Sequence, residues 1–143
     1  MDQQTFQSVH LKRSSPEGEI MSKKLVRMSK DGPEGKGLKQ GGVTELGKLV
    51  AGNPVEASHN YFTDKTGKFM TGVWECQKGT LKLTSYPFDE FCHILKGEVH
   101  ITDQRGNTEV FKKGDTFTIA KGFKGTWHMP KTVRKFYTIF LEK

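Results

Sequence analysis

Glu90-Phe91-Cys92-His93-Ile94-Leu95-Lys96-Gly97-Glu98-Val99-His100-Ile101-Thr102 decides how this chain folds. Two short runs of apolar and polar residues alternate with a period of two and meet at Lys96-Gly97. That pattern makes a pair of β-strands joined by a tight turn. In the second run Val99 and Ile101 share one face, with Glu98, His100 and Thr102 on the other. In the first, Glu90, Cys92 and Ile94 form one row and Phe91, His93 and Leu95 the other. Both of these rows are partly apolar, so the strand is expected to be covered on both sides.

The same texture extends in both directions. Strands are expected over 57–63, 69–76, 80–86, 90–95, 98–102, 108–111, 115–119 and 133–141. Turn sequences stand between them, among them Asp64-Lys65-Thr66-Gly67, Gln77-Lys78-Gly79, Asp103-Gln104-Arg105-Gly106-Asn107 and Lys113-Gly114-Asp115. Short strands at this spacing, with no helix of ordinary length between them, mean an all-β sandwich or barrel and exclude a βαβ architecture. Phe117 and Ile119 share a face. Near the C-terminus Val133, Lys135, Tyr137 and Ile139 alternate with Arg134, Phe136, Thr138 and Phe140. A slip of one residue would exchange Lys135 for Arg134 on the inner face.

Upstream the pattern fades. Residues 1–36 carry Ser14-Ser15-Pro16-Glu17-Gly18 and Asp31-Gly32-Pro33-Glu34-Gly35-Lys36-Gly37 at their end, both turn compositions. They read as an irregular N-terminal arm, with one strand around Leu25, Val26 and Met28 that docks on another element. Met21 is a second candidate start, which would make the first twenty residues an extension. Residues 37–143 read as the folded domain. Within 38–56, Val43, Leu46, Leu49 and Val50 have the spacing of a short helix, weakened by Gly42 and Gly47 and ended by Gly52-Asn53-Pro54.

The length of 143 residues is about one domain's worth. The net charge is +7, from 23 Lys and Arg against 16 Asp and Glu. These charges are spread along the chain without a run of five or six of one sign, so a solvated basic surface is expected and not a nucleic-acid interface. No apolar run approaches the ~18 residues of a membrane helix. The opening Met1-Asp2-Gln3-Gln4-Thr5-Phe6 is not a secretory leader. The two cysteines, Cys76 and Cys92, do not make a disulfide framework. Together these features predict a cytoplasmic protein.

Several stretches resemble a known superfamily. Glu90 and Gly97 enclose six residues ahead of a strand, and further on stands Gly114-Asp115-Thr116-Phe117-Thr118-Ile119-Ala120-Lys121-Gly122. This is similar to the two motifs of the cupins, which are small jelly-roll barrels. Gly72-Val73-Trp74, Glu90-Phe91-Cys92-His93, Gly122-Phe123-Lys124-Gly125-Thr126-Trp127 and Val133-Arg134-Lys135-Phe136-Tyr137 resemble, more narrowly, single-domain cupins related to ureidoglycine aminohydrolase and to the ethanolamine-utilisation cupins. The resemblance covers residues 50–143. It implies a single-domain cupin jelly-roll barrel with a small-molecule cavity.

Metal cupins hold their ion with three His and one Glu, and the resemblance places that Glu at Glu90. The first two His positions fall on Ser85 and Pro87, or on Thr84 and Tyr86 if counted back from Glu90. The third falls on Gly125. Three of four ligands are missing, which argues against a bound transition metal. Substitute donors would have to come from Cys92 or His128.

The candidate site is therefore built from other groups. Glu90 is a candidate general acid or base if it faces a low-dielectric interior, and a structural ion pair otherwise. Lys135, on a mostly apolar face, is its natural partner or a receptor for a substrate carboxylate. Tyr137 is a candidate phenolic donor into the same cavity, with Tyr86 opposite. Trp127 and Trp74 are candidate walls for a planar ligand, and Cys92 a neighbour of Glu90 with no histidine to activate it. Each of these also reads as ordinary core. Two functions stay open: acid–base chemistry at Glu90 on a small polar or anionic metabolite, or a non-catalytic ligand-binding or interaction module. A homodimer is expected in either case, because open jelly-roll edges are commonly covered by subunit pairing.

Overall fold

The computed structural model of the protein describes residues 24–142. Most of the expected arm, residues 1–23, lies outside the described residues. Eleven strands follow: β1 (Lys39–Val43), β2 (Lys48–Gly52), β3 (Val55–Thr63), β4 (Phe69–Cys76), β5 (Gly79–Leu83), β6 (Asp89–Lys96), β7 (Glu98–Asp103), β8 (Thr108–Lys112), β9 (Thr116–Ile119), β10 (Gly125–Met129) and β11 (Val133–Phe140). They form two antiparallel sheets, ordered β1-β3-β4-β11-β6-β9 and β2-β5-β10-β7-β8. The all-β architecture expected from the alternation is observed, and it is the jelly roll that the resemblance implies. Among the described residues no helix is long and apolar enough to cross a membrane.

The interior lies between the sheets. Met70, Trp74, Cys76, Leu81, Leu83, Ile94, Val99, Ile101, Trp127, Met129, Val133, Tyr137 and Ile139 all turn inward. The register of β11 settles which of its rows faces in: Lys135 is 2% exposed, while Arg134 points outward and pairs with Glu75 (2.9 Å) and Asp31 (2.9 Å). Arg134 also donates to the Lys30 carbonyl (2.8 Å), and the Tyr61 hydroxyl donates to the Ser29 carbonyl (2.9 Å). Residues 29–31 are thereby anchored on the outer face of the first sheet.

Four local expectations are corrected. The segment around Leu25, Val26 and Met28 is not a strand, and Leu25 is 85% exposed. The short helix within 38–56 is two strands, β1 and β2, which pair with different sheets. Only Leu46 of its four apolar residues is buried; Val43, Leu49 and Val50 are exposed, so the spacing never defined one covered face. Strand β5 ends at Leu83, leaving Tyr86 in the connection to β6, held by backbone bonds from Tyr86 to Phe123 (2.9 Å) and from Gly122 to Tyr86 (2.8 Å). Finally, β6 is covered on one side within the chain: Glu90, Cys92 and Ile94 are buried, but Phe91 is 48% exposed.

The turn at Gly97 shows why the hairpin sequence needs glycine. Its φ is +74°, and a Cβ there would sit 2.1 Å from the Thr132 carbonyl oxygen. Gly97→Ala is therefore expected to destabilise the fold by about 2–3 kcal/mol, from left-handed strain plus backbone overlap. Urea unfolding of the two proteins side by side measures it.

Candidate functional site: a buried lysine–glutamate pair and the cleft beyond it

Strand pairing sets the site. β11 lies between β4 and β6, with Lys135 opposite Trp74 on one side and Ile94 on the other. Glu90, Cys92 and Lys135 therefore point from neighbouring strands to the same interior. Lys135 Nζ donates to Glu90 Oε2 at 2.6 Å and lies 3.5 Å from Cys92 Sγ. The Tyr86 hydroxyl donates to the other oxygen, Glu90 Oε1, at 2.6 Å. The ammonium sits 4.7 Å from the centre of the Trp74 ring and 5.0 Å from that of Trp127, a cation held against two aromatic faces.

The electrostatics agree with a closed pair. Burial works against the Lys135 ammonium, but the Cys92 sulfur and the Glu90 carboxylate outweigh it and hold its pKa above the usual lysine value. We assign that outcome to Glu90, because burial pushes the Cys92 thiol well above its ordinary range and keeps it neutral. Burial, reinforced by the Glu90 charge, likewise raises Tyr86 far above a free phenol, so it stays a donor.

The remaining candidates do other work. Trp74 and Trp127 pack edge to face at 6.2 Å, and Tyr86 stacks on Trp127 at 6.5 Å. The Tyr137 hydroxyl donates to Asn60 Oδ1 (2.8 Å) instead of reaching Glu90. His128 lies on the outer face of the second sheet, against the His100 ring and bonded to Thr80 Oγ1 (2.7 Å). It is no neighbour of Glu90. Among the described residues no three of His, Cys, Asp and Glu converge to hold an ion, and both Glu90 oxygens are already engaged. The donor set does not fit a cupin metal. An internal ammonium, Lys135 Nζ, is the cation beside Glu90.

Sequence reasoning missed Glu56, Ser58 and Asn60, the inner row of β3, which are all buried. Their period-two spacing was visible, but a polar row is normally read as the outer one. Glu56 Oε1 accepts from Thr44 Oγ1 (2.5 Å) and Trp74 Nε1 (2.9 Å). Burial raises its pKa, partly offset by the Thr44 and Trp74 hydrogen bonds. With the folded value above the unfolded one, stability falls as pH rises through the folded pKa and is lowest above it. Glu56→Gln keeps an acceptor and removes the charge. It is expected to raise stability at pH 7 by on the order of 1 kcal/mol and, in urea melts, to flatten the decline that sets in as pH rises above the ordinary carboxylate value.

The interior itself is filled: Trp74, Trp127, Tyr86, Tyr137, Phe88 and Lys135 are all less than 2% exposed or close to it. Open space lies farther out. A cleft of about 320 Å³ sits between β7, β8 and β9, floored by Ile101, Phe111, Phe117 and Ile119. The Phe117 ring lines the cleft and lies 6.3 Å, centre to centre, from the Trp127 ring.

With this arrangement in view, comparison with known proteins decides the family. The EutQ-like cupin domain profile matches residues 63–137, from the end of β3 into β11. The chain belongs to the EutQ-like cupin domain family. Solved structures share its fold. The EutQ protein of Clostridium difficile is 24% identical with a TM-score of 0.54, over 69% of this chain and 79% of that one. A putative ethanolamine utilization protein Q from Salmonella typhimurium is 21% identical with a TM-score of 0.60, over 83% and 94%. A DUF861-family protein of unknown function from Pseudomonas syringae is 23% identical with a TM-score of 0.65, over 78% of this chain and 46% of that one. No curated protein matches the sequence. The cupin is thus related to the ethanolamine-utilisation cupins, in agreement with the sequence motifs.

Proposed function

We propose that this cupin binds a small molecule in the cleft beside Phe117 and that the Glu90–Lys135 pair holds the barrel closed behind it. The observation that carries this reading is the saturation of Glu90. Its two oxygens accept from Lys135 and Tyr86, and the side chain is 1% exposed. A general acid or base must exchange a proton with a substrate within hydrogen-bond reach. Here a substrate would first have to displace Lys135 or Tyr86 and pass Phe117 and Trp127. The non-catalytic alternative read from the sequence is therefore favoured over acid–base turnover at Glu90. The test is amide chemical-shift mapping with a mixed fragment set. The reading expects ligands to move Ile101, Phe111, Phe117 and Ile119; ligands that move Tyr86, Glu90 and Lys135 instead would restore the catalytic one.

The same reading includes a homodimer. Phe69, Phe91 and Phe140 are each 39–48% exposed on the outer face of the first sheet, and Phe69 and Phe140 are register partners. A cluster of this kind supports subunit pairing.

A further inference from the structure

The cleft has a charge character opposite to that of the protein. The chain carries +7, yet among the described residues the charged side chains lining this space are two carboxylates, Asp103 and Glu109, with no Lys or Arg beside them. The register pairs Ile101 with Glu109 and Val99 with Phe111, so Glu109 and Phe111 share the face that turns toward the cleft. Phe111 and Phe117 stack with ring centres 4.2 Å apart and planes 22° from parallel, an aromatic pair that lines the cleft.

The two acids are not equivalent. The Asp103 carboxylate is spent on its own turn, accepting from the Arg105 and Asn107 backbones (2.9 and 3.0 Å) and from Asn107 Nδ2 (3.3 Å). The Asn107 backbone bond holds it below the usual carboxylate range, and Arg105 stands close enough to contribute. Lys121, after β9, is turned to Glu142 at 3.4 Å. Glu109 has no such tie: among the described residues it forms no ion pair or side-chain hydrogen bond that would answer its charge.

We infer that the cleft takes a flat apolar molecule bearing a protonated amine, the ring packing against the Phe111–Phe117 stack and the ammonium meeting Glu109. This rests on the cleft being the ligand site and adds the chemical class. It also reverses the sequence-based expectation of an anionic ligand, which came from Lys135. That ammonium is already neutralised by Glu90 and walled off by Trp127. An anionic ligand in the cleft would face two carboxylates with no compensating cation among the described lining residues. An amine gains a charge-assisted hydrogen bond where water is partly excluded by aromatic rings.

The experiment titrates the full-length protein with 2-phenylethylamine and with 3-phenylpropionate, which present the same ring with opposite charges, and follows backbone amides by NMR. The inference expects the amine to shift Phe111 and Phe117, the carboxylate to leave them unmoved, and Glu109→Gln to weaken the amine by roughly five- to tenfold. Glu109 is exposed, so that variant should fold, and its spectrum reports whether it has. Binding of the carboxylate as tightly as the amine overturns the amine class and leaves the cleft as a site. Undiminished amine binding by Glu109→Gln overturns the role of Glu109 and with it the inference. If neither probe moves the cleft amides, the cleft reading and the amine inference both fall.

Discussion

Lys135→Met is expected to lower the free energy of unfolding by about 3–5 kcal/mol, the cost of leaving a buried charge without its partner. The Glu90 carboxylate would keep only the Tyr86 hydroxyl, in an interior that admits no solvent to it. Glu90→Gln leaves the ammonium equally stranded between two indole rings and is expected to cost a similar amount. The double variant, Lys135→Met with Glu90→Gln, should recover to within ~1 kcal/mol of the parent, because it removes both charges and keeps an acceptor for Tyr86. A cycle of urea melts measures this directly. The sign with pH is fixed as well. The folded pKa of Lys135 lies above the unfolded one, so its contribution is complete below the unfolded lysine value and is lost as pH rises through the folded value. Alkaline unfolding of the parent should therefore carry a step that the double variant lacks.

Trp127→Ala is expected to be as damaging, at about 3–5 kcal/mol. Its ring touches the groups that define the interior: Trp74 edge-on, Tyr86 in a stack, Phe117 at a tilt and the Lys135 ammonium over its face. Removing it opens a void between the pair and the cleft. Trp127→Phe separates packing from polarity. The indole Nε1 has no hydrogen-bond partner among the described residues, so its loss removes no bond there. The phenyl ring should keep most of the aromatic contacts and cost about 1–2 kcal/mol. Guanidinium melts of the two variants test the distinction; equal losses would mean that the indole nitrogen is used.

The strands of the barrel were legible because alternation is a local signal. Val99 and Ile101, Phe117 and Ile119, and the Val133 to Ile139 row each announced a buried face, and the Gly97 turn announced its hairpin. The part that failed was local too. β1 and β2 are exposed along their length and lie at the ends of their sheets, so they bury no row of side chains to reveal them. β10 was hidden because Trp127 and Met129 alternate with Thr126 and His128 in a strand of only five residues that itself begins with Gly125. An outer face misled in the opposite way: Phe91 suggested cover that the described chain does not supply.

The site was half legible. Glu90 and Lys135 were chosen as neighbours from their rows, and the structure brings them within 2.6 Å. Their consequence was not readable, since alternation says which way a side chain points and nothing about whether a cavity remains around it. Two tryptophans, Tyr86 and Phe88 fill that space. The cleft was out of reach of sequence patterns because it is assembled from three strands and a turn.

The central claim is that a charged Lys135, not a metal ion, is the cation beside Glu90. The most direct measurement is the side-chain ammonium spectrum of ¹⁵N-lysine-labelled protein, recorded near neutral pH with and without excess Zn²⁺ and Mn²⁺. The account predicts one slowly exchanging ammonium, assigned by its absence in Lys135→Met, that neither metal displaces. A neutral Lys135 amine, or a signal lost as metal binds in one equivalent, would contradict it.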